Sequence, residues 1–172
     1  EIDGAITSLS QLIQHFAALD SENKIEAVQS GLIGLSAPFQ LVLFIVVVFY
    51  ALGCLYDERK DRSILFWRSL PVSDSKTVLS KLGTALVLAP ALYLAVIFAV
   101  QLLVLVLMTL LAWGNDLNAW DNVWAPAGLI GLWTELLVFQ VMTALWLAPI
   151  VGWLMLVSAY VRKAPLVVAV LV

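Results

Sequence analysis

Cysteine and histidine occur once each, as Cys54 and His15, and that scarcity closes several chemistries. A lone cysteine makes no intramolecular disulfide and no CxxC metal pair, and a lone histidine in a polar stretch leaves few general-base schemes. Cys54, near the end of an apolar run, reads as a small packing residue, and His15 as a surface residue. There is no GxxxxGK[ST] loop, no HExxH and no GxSxG, so no catalytic residue, metal site or bound cofactor is expected in this chain. Charge is sparse as well: 12% of the 172 residues are charged against 63% hydrophobic, with a mean hydropathy of +1.02. A water-soluble domain of this size cannot cover such a surface, and the expected partners include membrane lipid but no nucleic acid.

The few bases are segregated. Eight of the nine Lys and Arg residues lie in two hydrophilic breaks, Asp57–Lys81 and Arg162–Lys163. Between and around those breaks run apolar stretches at about 38–56, 82–113 and 129–160, with a partial one at 164–172. A crossing helix needs roughly 20 residues. Ser36 is placed to cap the first run and Pro38 to occupy its first turn. The second run, as a straight helix, would measure roughly 48 Å, so a tilt, a bend near Pro90 or an extension into the headgroups is expected. The positive-inside rule assigns 57–81 and 162–163 to the cytoplasm, and 1–36 and the base-free, tryptophan-rich 114–128 loop to the other side. Residues 1–36 carry Ile6, Leu9, Leu12, Ile13, Phe16 and Leu19 at helical spacing, predicting an amphipathic helix, with a second helix after Asp20-Ser21-Glu22.

Glu135 is the one formal charge inside a predicted span, and an intramembrane acid is by default a candidate for ion, proton or substrate contact; a carboxylate reaching the interface is the alternative. Gln101 and Gln140 are the other intramembrane polar candidates, suited to hydrogen bonding between helices. From Asp57 to Leu70 a charged start gives way to Ile64, Leu65, Phe66 and Trp67 before the Pro71 break, the pattern of a basic amphipathic helix lying on a membrane surface or a partner.

The segment YDERKDRSILFWRSLPVSDSKTVLSKL at Tyr56–Leu82, and more weakly LWLAPIVGWLMLVSAYVRKAP at Leu145–Pro165, resembles the permease subunits of type-2 ATP-binding-cassette exporters. The resemblance implies a dimer of permease copies in a bacterial inner membrane, with cytoplasmic ATPases beneath carrying ATP and Mg. It also implies that the helix at 57–71 docks on the ATPase, which makes Glu58, Arg59, Arg62, Phe66, Trp67, Arg68 and Pro71 the coupling candidates. The family normally has six spans, so this chain is expected to be a piece holding spans two to four and part of a fifth. The expected fold is an all-α, polytopic transmembrane helix bundle with a cytoplasmic amphipathic coupling helix and an extracytoplasmic helical segment. Two other functions fit the residues: a structural or assembly subunit of a membrane complex, and an ion-coupled carrier using Glu135.

Overall fold

The computed structural model describes residues 11–61 and 73–161, together with 166, 168 and 169. It is all-α. Three helical stretches, Ser21–Lys60, Asp74–Gly114 and Trp120–Tyr160, are long and apolar enough to cross a membrane, as a multi-pass membrane protein requires.

Residues 11–17 are helical, and a break at 18–20 separates them from α1, Ser21–Gly53. The expected helix start at Ser36 and Pro38 is corrected: α1 passes through both. Pro38 removes one backbone donor from the helix interior, a loss that apolar-solvated helices tolerate better than soluble ones. Ser36 caps nothing; its hydroxyl donates back to the carbonyl of Ile33, as small hydroxyls do inside helices.

After a turn at 54–55 comes α2, Tyr56–Lys60. The third helix, α3, runs Asp74–Gly114 and contains a π-helical turn at Thr84–Leu88, where Ala89 N–H reaches back five residues to Thr84 O. The turn sits directly ahead of Pro90, so the disturbance expected near that proline is a local widening of the helix. Ser73 stands at the N-cap in extended conformation, but it is the carbonyl that accepts from Lys76 and Thr77 while the hydroxyl makes no capping bond.

α3 ends in a Schellman turn: Leu117 N–H donates to Ala112 O and Asp116 N–H to Trp113 O, with Asp116 left-handed at φ 57°. Most of the expected 114–128 loop is helical. Asn118 restarts the chain, its Oδ1 accepting from Trp120 N–H and its amide donating to Asp121. A π turn at Trp120–Trp124 leads into α4, Ala125–Ala127, which Gly128 ends at φ 51° before α5, Leu129–Tyr160. A side chain at 128 would carry the left-handed penalty and would also meet Gln29 Nε2 at 3.0 Å, so glycine suits the position.

The chain divides into two compact units, Glu1–Pro38 with Ala95–Leu137 and Phe39–Leu94 with Val138–Val172. In the first, Leu32, Ile97, Leu105, Leu132 and Leu136 are buried; Ile97, Gln101 and Leu105 recur every four residues on one stripe of α3. In the second, Leu43, Val47 and Ala51 of α1 pack with Ala85, Val151, Leu154 and Met155. The remaining faces are also apolar: Leu41, Phe44 and Phe49 of α1, Leu103 and Leu107 of α3, and Leu145 and Trp146 of α5 are exposed. Helices hydrophobic all round fit a lipid solvent, where outward Leu and Phe are not a liability.

Candidate functional site at the helix-end junction

In the second unit three helix ends are tied by side chains. An α-helix leaves its last carbonyls without partners, and the negative end of its macrodipole favours a cation there. Arg59 of α2 supplies one at the end of α5: its Nη2 donates to Ser158 O at 2.6 Å and to Val161 O at 2.8 Å. Lys81 of α3 supplies another at the end of α1, donating to Cys54 O at 2.8 Å and to Glu58 Oε1 at 2.6 Å.

The exchange is reciprocal. The N-cap of α2 is Leu55, which has no side chain able to satisfy the free N–H groups there. Ser158 of α5, fully buried, does so instead, its hydroxyl oxygen accepting from Leu55 N–H and Tyr56 N–H at 3.2 and 2.9 Å. Thus α5 caps the start of α2 while α2 caps the end of α5. Neither helix end can move independently of the other without breaking both sets of bonds. Asp57, Lys60 and Asp61 are exposed on the same short segment, while Glu58 and Arg59 face inward.

Of the sequence-based coupling candidates, Glu58 and Arg59 are brought together here with Lys81 and Ser158. Arg62, Phe66, Trp67, Arg68 and Pro71 lie outside the described residues. Ser158 and the role of Lys81 were not legible from the sequence; the one hint is a small hydroxyl near the end of an otherwise apolar span, a residue type that lets helices approach and bond.

The intramembrane polar candidates do not form one cluster. In the first unit Gln101, with no exposed surface, donates from Nε2 to Leu32 O at 3.0 Å and accepts from Trp133 Nε1–H at 2.9 Å. Trp133 is held in turn by stacking on Phe98, ring centroids 4.6 Å apart. Gln101 is a satisfied bridge joining α1, α3 and α5, the interhelical role its amide suits. Glu135 belongs to the same unit but is exposed on α5, with no ion-pair or hydrogen-bond partner among the described residues. Gln140 belongs to the second unit and is buried. Among the described residues no three His, Cys, Asp or Glu side chains are grouped to hold a metal. No family model, curated protein or solved structure matches the chain.

Proposed function

We propose that this chain is the membrane-spanning part of an ATP-driven exporter of the type-2 ATP-binding-cassette kind, working as a dimer of permease copies in a bacterial inner membrane. ATP and Mg belong to the partner ATPase, and this chain does no hydrolysis. The segment 57–71 is the cytoplasmic docking segment that receives the ATPase's motion, and 1–36 and 114–128 face the opposite side.

The observation supporting this reading most directly is the junction itself. A docking segment can drive a membrane domain only if it is mechanically joined to the spans, and Arg59, Glu58, Lys81 and Ser158 join the start of this segment to the ends of α1, α3 and α5. Closure of the ATPases on ATP would displace the segment, and the capped helix ends would follow. The segregation of bases supports the orientation, since lysine and arginine near span ends favour the cytoplasmic side.

Purification of the chain from its native membrane should bring down a cytoplasmic ATPase. The combination Trp67→Ala with Arg62→Glu should abolish that association, because it removes the aromatic anchor and reverses a rim charge. Recovery of the chain without any ATPase, or labelling of the 57–81 segment from outside intact cells, would refute the assignment. Transport unchanged by Glu135→Gln is expected, which sets aside the ion-coupled alternative.

A further inference from the structure

Gln40 and Gln140 carry two of the buried side-chain oxygens in the described residues that have no hydrogen-bond donor; the remaining unpartnered buried atom, Arg59 Nε, belongs to the junction described above. Both glutamines line one cavity within the second unit, whose other walls include Leu43, Val47, Ala85 and Pro90. Gln140 is only 4% exposed. Two amide acceptors beside an aliphatic cavity form a polar site that nothing else in this unit explains.

We propose that Gln40 and Gln140 share one bound water molecule. The match is one of number and size. A water has two O–H donors, one for each carboxamide oxygen, and can accept in return from the amide N–H groups. The cavity volume, ≈ 20 Å³, exceeds the roughly 10–15 Å³ a single water requires, and two carboxamides supply the two to four polar partners that hold it. The terminal torsion of glutamine is broad and roughly two-fold, so rotation of each carboxamide can present its oxygen to the cavity without straining the rest of the side chain. The cavity leaves little space for a larger guest, and two neutral oxygens are too few to replace a metal ion's hydration shell. The water joins α1 to α5 at a level where the lipid outside offers no donor.

The test uses the full chain in lipid nanodiscs with nitrogen-15 glutamine, reading magnetisation transfer from water to the side-chain amides. Cross-peaks are expected at Gln40 and Gln140 and none at Gln101, whose amide is already engaged by Leu32 and Trp133. Gln140→Met keeps the side-chain length and removes the amide; the Gln40 cross-peak should then lose most of its intensity while Gln101 keeps its shift. The reciprocal Gln40→Met should do the same to Gln140. A Gln101 shift unchanged in either variant shows that the fold is intact. The proposal is overturned if the unsubstituted chain shows no transfer at Gln40 and Gln140. It is also overturned if a direct bond between the two carboxamides is found, or if each keeps its full signal when the other is replaced. Disruption of both variants leaves the unsubstituted measurement to decide.

Discussion

Arg59→Lys is expected to leave the chain inserted and bound to its ATPase while the substrate moved per ATP falls roughly ten-fold or more. The magnitude follows from the loss of a charge-assisted hydrogen bond, about 1.5–3 kcal/mol, where about 1.4 kcal/mol is already a factor of ten. Lysine preserves the positive charge that orients the segment, but its shorter stem and freely rotating ammonium do not reproduce the two N–H directions that the guanidinium plane fixes at Nη2, which donates to both Ser158 O and Val161 O. Arg59→Ala removes charge and contact together and should in addition lower the thermal midpoint of the purified chain, at a cost of about 2–3 kcal/mol. Parallel assays of ATP hydrolysis and vesicle uptake separate the outcomes. An unchanged ratio of transport to hydrolysis in Arg59→Lys would mean that the junction only braces the helices, and loss of ATPase binding would place Arg59 in the docking surface itself.

The second large effect is expected at Gln101. Gln101→Leu fills a similar volume but leaves the N–H of the half-buried Trp133 indole without its acceptor and removes the bond to Leu32 O. A destabilisation of about 2 kcal/mol is expected, since an orphaned buried donor costs roughly 1–3 kcal/mol while interhelical bonds in membranes are individually modest. Trp133→Phe deletes the donor and should make Gln101→Leu cheaper, so a double-mutant cycle on detergent-solubilised protein measures the coupling. Additive costs in that cycle would show that the amide and the indole do not act together.

The helical class and the three long apolar stretches were legible because hydropathy over about 20 residues is a signal that no tertiary detail can hide. Boundaries were not. By the grammar of soluble helices proline begins a helix, whereas α1 carries Pro38 internally, a position that helices in lipid tolerate. The polar 114–128 stretch resembled a loop by composition, yet the Schellman turn at Asp116 and the cap at Asn118 compress the break to a few residues. An amide at 101 within an apolar span suits interhelical bonding, but only the fold supplies its partners, Leu32 O and Trp133. Glu135 stood out as a charge among apolar residues, and its side chain lies exposed on α5. Arg59 was recognisable as a charge at a span end, while Ser158 and Val161 lie about 100 residues away and only the packing of α2 against α5 brings them within reach. Gln40, a single amide between Phe39 and Leu41, leaves no periodic trace in the sequence.

The π turn at Thr84–Leu88 has a consequence for how α3 tolerates changes of length. Such a turn houses one residue more than an α path between the same two points would need. A chain one residue shorter within it would keep Lys81 and Tyr93 on their present faces, whereas a deletion elsewhere between them would swing one against the other by about 100°. The helix carries its slack there, next to the lysine that fastens it to α1.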